Sequence, residues 1–280
     1  MTKCILNDQI IDLEKAHIHV SDLALLRAYG IFDFFRLAGL TPLFFEDHIA
    51  RFFESADVLR LKCPVGRKAL KSMILELIAQ NTIQNSGMRL VLTGGESPNG
   101  YAIGKPTLFV LNEPINPLPQ SHFDDGIKLI SHEYLRDIPE VKTINYLMGI
   151  YKLPEVQAKG AVDMLYHWEG KISELTRSNF FVVDQYNRII TPGKGILKGV
   201  NRKHALEVAK EKFEVVERDL FMKELAQAKE AFITGTTKKV MPVIQIDDIR
   251  IGDGKPGPVT MELQQLYDAH IDNYLNASKA

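Results

Sequence analysis

The chain has 280 residues, 45% apolar and 25% charged, the balance of a soluble globular protein large enough for one big hydrophobic core or two smaller ones. Its 34 Lys and Arg against 35 Asp and Glu give a net charge of −1, which argues against a nucleic-acid or anionic-membrane partner. Cys4 and Cys63 make neither a disulfide framework nor a metal spacing, the start lacks the run of a secretory signal, and no stretch of about 18 apolar residues exists, so a reducing cytoplasm is expected.

Cys4–Leu6 and Gln9–Ile11 read as short strands around the turn pair Asn7-Asp8. After Val20 come a turn and the apolar segment Leu23–Leu26, followed by the cation Arg27. Gly30–Leu37 is a strongly apolar strand, turned at Gly39 and paired with Pro42–Phe45. Glu46–Arg60 has the spacing of an amphipathic helix, with Ile49, Phe52, Phe53 and Ala56 as its buried stripe. His48, Arg51 and Ser55 share an adjacent face; Arg51 is either a solvated helix arginine or a planar fork for phosphate oxygens. Pro64–Asn81 is a second helix, and Gly87–Thr93 and Thr107–Leu111 are strands. Asn112–Gln120 holds three prolines in nine residues and is the best linker in the chain. It separates an expected first domain, 1–115, from a second, 123–280, with 116–122 as the connection.

Gly126–Tyr134 alternates as a strand, and Asn145–Lys159 carries helical spacing that stops at Gly160. Lys142 therefore sits at a strand-to-helix junction, flanked by Val141 and Ile144. Such a lysine is a surface residue with a snorkelling stem or an amine kept neutral for imine chemistry. Ala161–His167 is a strand and Ile172–Asp184 its return, in which a turn at Leu175–Ser178 would break the alternation. Glu174 and Arg177 lie in this otherwise buriable strand, and a buried ion pair is their plain explanation. Thr191–Lys203 is glycine-rich and opens a helix to about Phe213, with Asn201 as a plausible N-cap. Free amides at a helix start bind anions, but Gly-x-Gly-x-x-x-Gly fits neither the nucleoside-triphosphate nor the dinucleotide fingerprint. Ala231–Thr237 is a strand running into a turn where the hydroxyls of Thr236 and Thr237 suit a second oxyanion contact or an ordinary hydroxyl turn. Val259–Asn276 is a closing helix.

Five pieces stand in one order: Arg51 after an apolar strand, Lys142, Glu174 with Asn179-Phe180-Phe181, the loop Ile196–Arg202, and Gly235-Thr236-Thr237. This order resembles the class IV aminotransferases, the pyridoxal-phosphate enzymes of fold type IV, over nearly the whole chain. Branched-chain aminotransferases, D-amino acid aminotransferases and aminodeoxychorismate lyases share it. The resemblance implies an α+β (α/β) chain of two domains, a small N-terminal sheet with helices and a strand-rich, barrel-like C-terminal domain, with pyridoxal 5'-phosphate between them. It implies Lys142 as the Schiff-base lysine and Glu174 as the carboxylate that keeps the pyridine nitrogen protonated, making the ring an electron sink. It also implies Tyr146 as partner of the ring's 3-oxygen and Leu197 as packing on the ring face. The phosphate cradle would be Arg51, the amides of Val200 and Asn201, and the Thr236 hydroxyl. No metal is expected.

The loop Thr93–Tyr101 holds neither the arginine nor the histidine that the best-known D-amino acid enzymes carry nearby, and Arg27-Ala28 stands where branched-chain enzymes commonly read Tyr-Gly. Arg27, Arg89, Arg177 and Thr237 are the candidate substrate contacts. Arginines in apolar segments usually need an anionic partner, which a dicarboxylic substrate such as 2-oxoglutarate supplies. The expected reaction moves an amino group between a D-amino acid and a 2-oxo acid; a branched-chain-like L-aminotransferase is the alternative, and a lyase a further one. The resemblance also implies a homodimer in which Leu23–Leu26 are buried and Arg27 meets a substrate held by the other subunit. An ion pair of Arg27 with Asp22 or Asp33 is the competing reading.

Overall fold

The computed structural model describes residues 2–278, which form two compact units. The first holds the chain up to Asn116, the segment Val141–Asn145 and the end from Tyr274; the second holds Pro117–Glu140 and Tyr146–Asn273.

In the first unit β1 (Lys3–Leu6) and β2 (Gln9–Asp12) form a hairpin, and a short helix α1 (Leu23–Arg27) precedes β3 (Gly30–Ala38). Then follow β4 (Thr41–Pro42), α2 (Phe45–Val58), α3 (Arg67–Asn81), β5 (Gly87–Thr93) and β6 (Leu108–Glu113). The antiparallel sheet runs β2-β1-β6-β5-β3-β4. Strand parity places Ile31, Asp33, Phe35 and Leu37 on the buried side of β3, so an aspartate occupies a core position. Around it pack Phe45, Ile49 and Phe52 of α2 and Leu70, Ile74 and Leu77 of α3.

Three local expectations shift. Only Thr41-Pro42 pairs with β3; Phe44 turns the chain at φ 51°, and α2 starts at Phe45, because Leu43, Phe44 and Phe45 all enter the core. The second helix begins at Arg67 behind Gly66, not at Pro64. β6 continues through Glu113, so the first residues of the proline-rich stretch belong to the sheet. Residues 141–145 pair with the start of β3: the Phe32 amide donates to the Lys142 carbonyl at 2.9 Å and the Ile144 amide to the Gly30 carbonyl at 3.1 Å.

The second unit runs α4 (Ser121–Asp124), β7 (Ile127–Glu133), α5 (Leu147–Ala158), β8 (Asp163–Trp168), β9 (Lys171–Leu175), β10 (Asn179–Val183) and β11 (Ile189–Thr191). It continues with α6 (Val200–Ala209), β12 (Val215–Glu217), β13 (Leu220–Phe221), β14 (Glu230–Gly235), β15 (Lys239–Ile246), β16 (Ile249–Arg250) and α7 (Pro258–Ala277), whose last turn belongs to the first unit. Strands β10, β14, β15, β7, β8 and β9 pair in sequence, and Glu174 facing Asn179 closes the ring between β9 and β10. Closure leaves no unpaired edge in that ring, and its interior fills with Leu129, Leu165, Phe180, Ile233 and Met241. The two-unit α+β architecture with a barrel-like second unit is the one the family resemblance implied.

The expected return strand Ile172–Asp184 is two strands, because residues 176–178 turn at the barrel closure. Helix α6 ends at Ala209, and its N-cap is Gly199 rather than Asn201, which lies inside the first turn.

Candidate active site

In the first unit, Lys142 is half-buried and its backbone is fixed against β3 by the two bonds just given. Its Nζ lies 4.5 Å from the centroid of the Phe32 ring, a cation–π contact. Beneath β3 stands a polar group in an apolar core. Asp33 is fully buried; Arg51 donates from Nε to one of its oxygens and from Nη2 to the other, each at 2.8 Å, and His48 Nδ1 lies 2.6 Å from Oδ1. The spacing of His48 and Arg51 on α2 turns both side chains to the same partner. Burial opposes the charge on Asp33, yet Arg51 and His48 outweigh it and hold the carboxyl well below the usual carboxylate range. Burial first, then Arg51 and Lys142, push the His48 imidazole below its ordinary value against the pull of Asp33. Arg51 thus spends its Nε–Nη2 edge on Asp33, and the Nη1 edge of its fork is the one it can offer to another anion.

The candidate substrate arginines have different surroundings. Arg89 forks Glu113 at 2.7 and 2.9 Å and lies over the rings of Phe32 and Phe34. Its anionic partner is thus in the protein, and the argument that it needs a substrate carboxylate falls. Arg27 ends α1, is exposed, and donates to the Leu26 carbonyl at 2.7 Å. The expected alternative, an ion pair with Asp22 or Asp33, does not form. Asp22 accepts from the Ala24 amide and the Thr93 hydroxyl, and Asp33 is taken by Arg51 and His48. Of Leu23–Leu26, Leu23 is buried inside its own unit, whereas Leu25 and Leu26 are 65% and 40% exposed.

In the second unit, Glu174 near the end of β9 is buried, and both its oxygens accept: Oε1 from Arg136 Nη1 at 2.7 Å, Oε2 from the Leu197 amide at 3.1 Å. Its buried ion-pair partner is Arg136. The Leu197 carbonyl accepts from Asn179 Nδ2 at 2.8 Å, so one loop residue is held by both members of the pair that closes the barrel. Gly199 follows; a Cβ there would stand 2.3 Å from Asn179 Oδ1, so only glycine lets the loop approach this closely. Helix α6 then starts with no side-chain cap on its first amides, those of Val200 and Asn201 among them. Asn201 Nδ2 donates to the Thr236 hydroxyl at 3.2 Å, and its Oδ1 accepts from Tyr267 at 2.7 Å. The structure thus brings Val200, Asn201 and Thr236 together at an uncapped helix start, a donor set that suits a phosphate. Thr237 is half-buried in the same turn. Tyr146 is half-buried at the start of α5 and near enough to Tyr166 to add to burial in pushing that phenol up to about 12.

Two functional-looking residues escaped the sequence reading. Arg136 lay outside any periodic segment; its signal was the unmatched acid at Glu174. Lys238 is buried and donates to Asp163 at 2.9 Å and to the Ser178 hydroxyl at 2.8 Å, which joins the turn after β14 to the turn before β10. Burial opposes the Asp163 charge, and Lys238 overcomes it and lowers the carboxyl below its usual range. Ser178→Ala is expected to cost about 1.5–3 kcal/mol, the scale of a hydrogen bond to a charged group, measured by urea unfolding. An unchanged midpoint would show that Lys238 gains nothing from that hydroxyl.

The sequence pattern of the class IV amino-transferases matches residues 30–246. A protein of Methanocaldococcus jannaschii provisionally named a branched-chain-amino-acid aminotransferase is 33% identical over 280 residues, 95% of each chain. The D-alanine aminotransferase of Listeria monocytogenes is 26% identical over 96% of each chain. Among solved structures, the T.th. branched-chain amino acid aminotransferase with pyridoxamine 5'-phosphate superposes with a TM-score of 0.88 at 26% identity, covering 96% of this chain and 93% of that one. The closed barrel, the full-length match and the family pattern agree: the chain belongs to the class IV aminotransferases, pyridoxal-phosphate-dependent transaminases that act on small amino and 2-oxo acids.

Proposed function

We propose that this aminotransferase exchanges the amino group of a D-amino acid with a 2-oxo acid of dicarboxylic type, such as 2-oxoglutarate. The observation that carries this reading is Arg177. It stands in the turn between Glu174 and Asn179, is exposed, and makes no ion pair among the described residues. Its carbonyl would lie 3.3 Å from a Cβ on Gly235, so it borders the turn that bears Thr236 and Thr237. A cation so placed fits a second substrate carboxylate. Arg27, exposed and likewise without an acidic partner, fits the same role in a homodimer, with the exposed Leu25 and Leu26 as part of the covering surface.

In this reading Lys142 Nζ would hold the cofactor and would then move the proton at the substrate Cα. Pyridoxal phosphate, when bound, supplies a ring that accepts the electron pair left on Cα. Glu174, oriented by Arg136 and the Leu197 amide, would hold the proton on the pyridine nitrogen. The Val200 and Asn201 amides and the Thr236 hydroxyl would hold the phosphate, and the family resemblance adds the Nη1 edge of Arg51. Tyr146 would meet the ring's 3-oxygen and Leu197 would pack on the ring. Both cysteines are free thiols, in keeping with a cytoplasmic enzyme.

A branched-chain L-specific reading stands beside this one, favoured by the 33% identical relative. A screen of single amino donors, following loss of the bound cofactor's visible band, separates them. D-glutamate and D-alanine are expected to convert the cofactor, and Arg177→Ala to lower catalytic efficiency for the dicarboxylic donor about tenfold or more while D-alanine changes less. Conversion by L-leucine and L-valine alone would replace this reading with the second.

A further inference from the structure

We propose that His204, Glu207 and His270 form a site for a divalent transition-metal ion, with zinc the best chemical match, that ties α6 to α7. His204 and Glu207 stand one turn apart on α6, and His270 comes from α7. His204 Nδ1 lies 3.0 Å from His270 Nε2 and 3.1 Å from Glu207 Oε2, and all three ligand atoms fall within 4.8 Å of one another. Zinc bound to nitrogen and oxygen at about 2.0–2.1 Å in tetrahedral geometry sets its ligand atoms roughly 3.3 Å apart, close to the two separations from His204 Nδ1.

The chemistry of the three groups points the same way. Each can give a lone pair to an ion placed among them, while a neutral imidazole carries a single N–H. One shared proton serves one contact of His204 Nδ1, whereas a metal ion accepts all three lone pairs at once. Two imidazoles and one carboxylate suit zinc, cobalt or nickel; calcium and magnesium prefer all-oxygen sets. His204 is buried, His270 half-buried and Glu207 exposed, so the cluster has a rigid base and a side open to solvent, where water completes the coordination. No residue assigned to the cofactor or substrate takes part. The tie falls one helical turn from Tyr267, whose hydroxyl anchors Asn201 at the start of α6.

The test is titration of untagged holoenzyme with zinc chloride by calorimetry, repeated with cobalt chloride while recording visible d–d absorption. One saturable site per chain is expected, with tetrahedral cobalt bands and a raised melting temperature in excess zinc. Glu207→Gln and His270→Gln should each weaken binding by at least about tenfold, since even residues behind a metal's ligands change affinity by that much. Glu207 is exposed, so its variant keeps the test valid if His270→Gln folds poorly. Binding only at millimolar metal, or equal binding by wild type and both variants, would overturn the site.

Discussion

Lys142→Ala is expected to lower transamination by roughly 10⁴-fold or more, because in the proposed site one side chain would supply both the covalent attachment of the cofactor and the proton transfer at Cα. The fold gives reason to read such a loss as chemistry. The backbone of residue 142 is held by the Phe32 amide, and Ile144 by the Gly30 carbonyl, and neither bond involves the lysine side chain. Among what the substitution removes from the folded state are a half-buried stem and the cation–π contact with Phe32, worth about 0.5–1 kcal/mol. Both backbone bonds stay, so the melting temperature should move little. A second measurement needs no turnover: borohydride treatment of the loaded wild type should fix the cofactor covalently to the peptide that contains Lys142, and the variant should release it on denaturation. Covalent fixation that persists in Lys142→Ala would assign the attachment to another lysine.

Much of the architecture was written in periodicity. Alternation marked β7, helical spacing marked α2 and α5, and unbroken apolar character marked β3. Long-range pairing carries no such period. Nothing local announces that residues 141–145 leave the second unit to join β3, or that Glu174 faces Asn179 and closes a barrel. The same limit hid the partners of the charged residues. Arg89 stood among apolar neighbours and called for an anion, but its acid, Glu113, read as the start of a linker until β6 was seen to run through it. Arg177 and Glu174 both stood in a buriable strand, so a buried ion pair was the plain explanation for each. The turn at 176–178 gives Glu174 to Arg136 and leaves Arg177 exposed. The Gly199 loop was legible as a candidate anion site because its chemistry is local: glycines, then the uncapped amides of one helix.

Asp33→Asn is expected to destabilise the fold by about 3–5 kcal/mol, the cost of removing one member of a buried ion pair and leaving the other uncompensated. The residue sits on the inward face of β3, where parity would otherwise place an apolar side chain, and it accepts from Arg51 twice, from His48 and from the Phe34 amide. Asparagine keeps the shape but offers one acceptor oxygen and no charge to a guanidinium that is itself 12% exposed. The pH dependence distinguishes this from a packing defect. Because the folded carboxyl is held below its ordinary value of 3.8, the unfolded chain takes up the proton first as pH falls. The aspartate's contribution is therefore complete above that value and shrinks below it, so the gap between wild type and variant should narrow in acid. His48, also depressed from an ordinary 6.5, adds a loss of stability that begins below that pH and is larger in the variant, where the upward pull of Asp33 is gone, so the gap first widens and narrows only below 3.8. Urea unfolding at a series of pH values reads both limbs. Pairing Asp33→Asn with Arg51→Met should recover part of the loss, since the stranded cation is then gone. A double variant no more stable than Asp33→Asn alone would show that Asp33 serves the packing of β3 and not the charge of Arg51.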